Sequence, residues 1–170
     1  WTLQGSNDNS SWTTIDTVTG QTGWTNYQTR YFKVNNPGSY RYYKLVVSAN
    51  NGATDYVSIA EIQLKGEVSY TENGTISDAT KPGQGSVAFS AGNNTYPGTK
   101  AFDDKGNVGD GRWLANKPTS SNPSWIRYDF AEGKKIIEYT VQSQSYNFAQ
   151  RAPKDWTLQG SNDNSNWTTI

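Results

Sequence analysis

The 170 residues include no cysteine, no histidine and no methionine. Without cysteine there is no disulfide framework, no thiolate nucleophile and no thiolate zinc site, although that absence does not decide the compartment. Without histidine the commonest general base and the commonest transition-metal ligand are missing. Net charge is also zero, with 15 basic against 15 acidic residues. That excludes a binder of nucleic acid or of membrane surfaces that relies on long-range attraction. No apolar run approaches the ~18 residues that a membrane helix requires. A Gly-x-Ser-x-Gly elbow and a phosphate-cradling glycine loop are absent as well. The catalytic route left is a carboxylate pair acting as acid and base. The one cluster offering it, Asp103, Asp104 and Asp110, reads better as a cation site, so no enzyme is expected.

What is present is aromatic and polar. Aromatic residues make up 14% of the chain, and Thr, Ser, Asn and Gly fill much of the rest, a composition suited to strands carrying polar loops. Alternation marks the strands. In "KKIIEYTVQS" Ile137, Tyr139 and Val141 are expected to face one way; in "SWIRYDF", Ile126, Tyr128 and Phe130; in "RYYKLVVSA", Tyr43, Leu45 and Val47. In "VSIAEIQLKG" Ala60, Ile62 and Leu64 share a face opposite Ile59 and Glu61. Helical periodicity is absent, so many short strands between Gly, Asn, Pro and Ser loops predict an all-β antiparallel sandwich. Trp1, Trp113, Trp125 and Trp156 read as core, while Trp24 fits core or binding surface.

The first fifteen residues, "WTLQGSNDNSSWTTI", return at 156–170 as "WTLQGSNDNSNWTTI", differing only at Ser11 against Asn166. The period is therefore 156 − 1 = 155 residues, a domain-sized unit and not a solenoid repeat of about 20 to 50 residues. Each copy reads as a hairpin whose Asn-Asp-Asn-Ser turn tolerates left-handed backbone. The chain reads as a window of a tandem array. Residues 1–66 are expected to be the back half of one repeat, 67–84 a linker and 85–170 the front part of the next. In the other arrangement 1–66 docks on 67–155 as one permuted domain and 156–170 is a spare hairpin, a strand suited to a neighbour's sheet.

Four motifs in order, "AFDDKGNVGDGRW", "SWIRYDF", "QRAPKDWTLQGSNDNSNWTTIDT" and "YRYYKLVVSANNGATDYVSIAEIQL", resemble the discoidin family. It is also called the coagulation factor five/eight C-terminal type domain, and it is similar to the family 32 carbohydrate-binding modules. The resemblance covers nearly the whole 155-residue unit once the halves are put in domain order. It implies a galactose-binding-like jelly roll with ligand loops at one end and a structural calcium ion near them.

By that resemblance, the Asp after Ala-Phe and the Ala-Glu pair of the last strand are calcium ligands, here Asp103, Ala60 and Glu61, with Asp104 and Asp110 beside them. Calcium takes several converging oxygens, and a carboxylate in apolar "SIAEIQL" is costly to bury unpaired. Two departures stand out: the loop is longer than the usual form, and Gly111 replaces the Thr expected two places before Trp113. The competing reading is an Asp-Gly surface turn with Glu61 paired to a basic residue.

For the glycan, which the resemblance implies is of galactose type or related, an exposed ring and a few amide or guanidinium donors suit a pyranose. Tyr146, Asn147, Phe148, Arg151 and Asn51 supply them, with Asn50, Tyr56 and the loop of Asn93, Asn94 and Tyr96 nearby. No histidine fills the place it often takes in galactose-specific relatives. Arg151 also reads as a structural arginine, and Tyr146 or Phe148 as a cap on the core. The expected partners are glycans and neighbouring repeats, with no nucleic acid and no membrane insertion, on a secreted or cell-surface protein. The alternative function is a structural repeat of an extracellular fibre, which near-identical copies favour because a scaffold lengthens by copying.

Overall fold

A computed structural model describes residues 4–6, 10–11, 13–34, 37–67, 76–106, 111–144 and 148–167. The strands are β1 (Gln4–Ser6), β2 (Ser10–Ser11), β3 (Thr13–Val18), β4 (Thr29–Lys33), β5 (Ser39–Asn50), β6 (Tyr56–Ile59) and β7 (Glu61–Glu67). They continue with β8 (Ile76–Asp78), β9 (Gly85–Phe89), β10 (Trp113–Asn116), β11 (Ser124–Gln142), β12 (Pro153–Ser161) and β13 (Asn166–Trp167). Two short 3-10 turns, Gly98–Ala101 and Ala149–Arg151, are the helical content of the described residues.

β11 belongs to both layers. Its first part, Ser124 to Asp129, pairs antiparallel with β5, and Ile126 to Phe130 pair with β9. Its last part pairs with β4 through Glu138–Gln142 and with β7 down to Gln142 opposite Glu61. β12 lies on the other edge of β5, and β3 beyond it. β8 extends the second layer from β7. The layers meet through aromatic rings. Phe32 of β4 sits edge-on to Trp156 of β12 at 5.4 Å and beside Tyr139 at 5.2 Å, favourable geometry for buried rings. Tyr43 fixes the corner where β11 changes layers: its hydroxyl lies 2.7 Å from the Lys134 carbonyl and accepts the Ile136 amide at 3.3 Å. The all-β antiparallel sandwich is thus the fold.

Where alternation is unbroken, the expected faces hold: Ile126, Tyr128 and Phe130 are buried, and so are Tyr43, Leu45 and Val47. Ile137 is a correction. The register between β11 and β7 shifts between Ile136 and Glu138, so Ile136 is fully buried while Ile137 is half-buried. One extra residue in a strand turns the side chain to the other face. Trp113 and Trp156 are core, Trp24 joins them by donating its indole N–H to the Pro153 carbonyl at 3.0 Å, and Trp125 is half-buried on the outward face. Trp1 lies outside the described residues.

In the repeated hairpin, β1 pairs antiparallel with β3. The turn of the second copy places Asn164 at φ 61. Asp163 holds that turn by accepting the Ser165 and Asn166 amides, each at 2.9 Å. Within the expected linker 67–84, Ile76–Asp78 form β8, and the Ala79 amide donates to the Leu64 carbonyl at 2.8 Å.

Candidate functional site

The first cluster lies where β7 begins. Glu61 opens β7 opposite Gln142 of β11, and the Ala60 amide donates to the Gln142 carbonyl at 2.9 Å. Glu61 is 8% exposed, and neither its Oε2 nor the Gln142 Oε1 has a hydrogen-bond partner. Loop residues 103–106 lie over both. A Cβ at Gly106 would stand 2.3 Å from Gln142 Oε1 and 2.6 Å from Glu61 Cβ, so this close approach requires glycine. Asp104 holds a positive φ of 57°, and Asp103 turns the loop by accepting the Lys105 amide at 3.0 Å. Burial pushes the Glu61 carboxyl up to about 9, and the negative charges of Asp103, Asp104 and Asp78 push the same way.

Asp78 was not singled out in the sequence, because it sits in a polar stretch resembling linker. Its Oδ1 accepts the Thr80 amide at 2.9 Å and hydroxyl at 2.6 Å, and Asp-x-Thr is the local signal that could have found it. Lys81 bridges Asp78 at 3.5 Å and Asp104 at 3.3 Å. No basic side chain forms an ion pair with Glu61 among the described residues. The competing expectation of Glu61 paired with Arg or Lys is therefore not met there. Among the same residues no three Asp or Glu side chains form a ready metal cage. The chemistry is that of oxygens alone: carboxylates, the Gln142 amide oxygen and loop carbonyls. A cavity of about 530 Å³ opens beside them, floored by Glu61 and Gln142 and walled by Thr29, Gln63, Thr140 and Tyr31, the last 65% exposed. Asp110 lies outside the described residues.

The second cluster forms where the loop after β5 meets the 3-10 turn at 149–151. Asn50, buried, donates to the Ala53 and Tyr56 carbonyls at 3.0 and 2.7 Å and so shapes the loop that presents Asn51. The Asn51 amide donates to the Ala152 carbonyl at 2.8 Å, and the Ala53 amide to the Gln150 carbonyl at 3.2 Å, which ties the loop carrying Asn51 to the 3-10 turn of Arg151. The Arg151 guanidinium lies 4.1 Å from the Phe148 ring centroid and 5.3 Å from that of Tyr56. It also grips Asp55 through two nitrogens, Nε to Oδ1 at 3.2 Å and Nη2 to Oδ2. That hydrogen bond holds the Asp55 carboxyl below the usual range. Asp55 lies 96 positions from Arg151, a pairing without a local sequence signal. Tyr146 and Asn147 lie outside the described residues.

The third loop is separate. Asn93 Oδ1 accepts the Thr95 amide at 2.9 Å, which closes a local turn, and Tyr96 stacks under Arg112 at 3.8 Å.

Four motifs, an antiparallel sandwich and polar loops at its end are what a small binding fold provides. The sequence model of the F5/8 type C domain matches residues 84–170. This chain belongs to the F5/8 type C family. Domains of this family are binding modules for carbohydrates or lipids, generally without catalysis, and typically belong to extracellular proteins. The F5/8 type C match takes in Asp103, Asp104, Phe148 and Arg151; Asn51, Ala60 and Glu61 lie before it, on segments that pair with its strands. No curated protein and no solved structure matches the chain. No helix among the described residues is long and apolar enough to cross a membrane.

Proposed function

We propose that the chain is a non-catalytic carbohydrate-binding and adhesion module, repeated in tandem on an extracellular protein, with its glycan at the Asn51, Phe148 and Arg151 corner. Tyr146 and Asn147, which precede Phe148 in sequence, are the further proposed contacts. The observation that carries this reading is the Arg151 guanidinium, layered on Phe148 and fixed by Asp55. Asp55 occupies the Nε and one Nη2 hydrogen, and the Nη1 hydrogens remain for sugar hydroxyls. Phe148 is half-buried and offers ring surface for the apolar face of a galactose-type pyranose. A rigid donor loses little entropy on binding, yet so shallow a site binds weakly, and repetition supplies avidity.

The acidic cluster is the proposed calcium site. Glu61, Asp103 and Asp104, with Asp110 and the Ala60 carbonyl, are the residues that would hold the ion. A hard cation would satisfy the unpaired Glu61 and Gln142 oxygens and neutralise the like charges. Its role is to fix loop 103–106 against the sheet. In the proposed organisation residues 1–66 complete a domain with the strands that follow, and neighbouring repeats are the protein partners.

Glycan-array binding of the chain, with and without a calcium chelator, tests the reading. Galactose-containing glycans should be retained, and Phe148→Ala or Arg151→Ala should abolish retention while the fold persists. Silence across the array would favour a fibre repeat, the reading that the near-identity of residues 1–15 and 156–170 supports.

A further inference from the structure

Residues 19–28 touch both ends of the connection between β11 and β12, the segment that carries Phe148 and Arg151. At one end Trp24 donates its indole N–H to the Pro153 carbonyl at 3.0 Å, and the Gln21 amide donates to the Lys154 carbonyl at 3.2 Å. At the other end the Ser143 amide donates to the Gln28 carbonyl at 2.9 Å. The Ser143 hydroxyl donates to the Thr25 carbonyl at 2.5 Å and accepts the Gln28 amide at 3.0 Å. Within the loop, Gln28 Oε1 accepts the Thr25 amide at 3.1 Å. Arg30 lies 4.0 Å from the Trp24 ring centroid and donates to Gln21 Oε1 at 2.8 Å and to the Thr22 carbonyl at 2.9 Å. The turn 25–28 is therefore braced from within and fixed to the end of β11.

Tyr27, third in that turn, holds a positive φ of 58° and is 41% exposed. Such a position favours glycine or asparagine, because a bulky residue there crowds its Cβ against the backbone. Asn26, which tolerates it better, stands one place earlier and is exposed as well. Stability alone would put a small residue at 27, yet the sequence puts an aromatic ring there. A strained conformation persists where its surroundings enforce it, and such positions gather where a ligand is held. We propose that Tyr27 is a second aromatic platform of the glycan site, with Asn26 beside it. It takes the next sugar of an oligosaccharide whose terminal galactose-type residue lies at the Asn51, Phe148 and Arg151 corner. This rests on the glycan reading of that corner. A ring held on a braced turn loses little freedom when a pyranose face settles on it, and the Asn26 amide can both donate to and accept from hydroxyls. Because residues 19–28 are tied to both ends of the Phe148 connection, the two platforms are set in place before the ligand arrives.

Calorimetric binding of galactose and of galactose-terminated di- and trisaccharides to the whole chain tests this. The parent should hold the best of the larger glycans several-fold more tightly than galactose, and Tyr27→Gly should erase that advantage. The same variant should melt within a few degrees of the parent, because relief of strain at φ 58° offsets the freedom that glycine gains when unfolded. Tyr27→Phe keeps the ring and should keep the advantage. An advantage that survives in Tyr27→Gly, or a parent that holds every larger glycan no better than galactose, overturns the inference and leaves the glycan reading of the Arg151 corner standing. A parent that binds neither galactose nor any larger glycan overturns both. A Tyr27→Gly chain that melts far below the parent and loses galactose as well makes Tyr27 a structural residue, which also overturns the inference.

Discussion

Two corners of the sandwich solve the problem of placing charge in opposite ways. Around Arg151 the charge is paired: two of its nitrogens are on Asp55, one aromatic ring lies against its face and a second nearby. Around Glu61 little is: a buried carboxylate oxygen and a buried amide oxygen lack partners, and three further aspartates add repulsion that Lys81 meets only at its outer rim. The contrast separates a finished surface from an unfinished one. Arg151 and its neighbours hold one another in place, which is what the proposed weak, exchangeable ligand would need. The Glu61 corner is costly by itself, and under the proposed calcium reading a cation would offset that cost.

The sharpest way to break this contrast is Glu61→Gln. In chelator at pH 8, folding must put a proton on Glu61 that the unfolded chain lacks; removing that cost should raise the melting temperature by several degrees, on the order of 1–3 kcal/mol. In millimolar calcium the sign should invert, with the parent chain melting higher because it alone binds the ion. A variant that melts lower than the parent in both buffers would mean that Glu61 is a structural anchor and not a ligand.

Proton linkage gives the next effect. The Glu61 carboxyl titrates near 4.5 when unfolded and at about 9 when folded. Between those values the folded state holds the extra proton, so stability is full below about 4.5 and declines as pH rises toward about 9. Denaturant titrations of chelated protein across that window should show the decline, while calcium should flatten it. A smaller change is expected for Gly106→Ala. Its new methyl would meet Gln142 Oε1 and Glu61 Cβ, which should cost about 1 kcal/mol and weaken calcium binding. Glycan retention should survive, since the loop end is built from other segments. Smallest in stability is Arg151→Ala, about 1 kcal/mol or less because Asp55 is 43% exposed. Its effect on sugar binding should be far greater, and Arg151→Lys should not restore it, because an ammonium lacks the planar fork and stacking face.

Much of the scaffold could be read in advance because period-2 alternation records which face is buried. Tyr43, Leu45 and Val47 follow it without interruption. It fails at Ile137, where a register shift that leaves no mark in composition moves burial to Ile136. The acidic loop was legible in Asp103 and Asp104 as a type of chemistry. Asp78 was not, since tertiary pairing, not local pattern, carries it toward Glu61. The same holds for Asp55, whose importance rests on a contact with Arg151 across most of the chain. The two hairpin copies were visible as a repeat in the sequence itself.

Calorimetric titration of calcium into chelator-treated protein, run in parallel on the parent chain and Glu61→Gln, probes the unfinished corner most directly. The expected result is one saturable site on the parent and none on the variant. Binding that is equal in both, or absent from the parent, would contradict the assignment of Glu61 and its aspartate neighbours as a cation site.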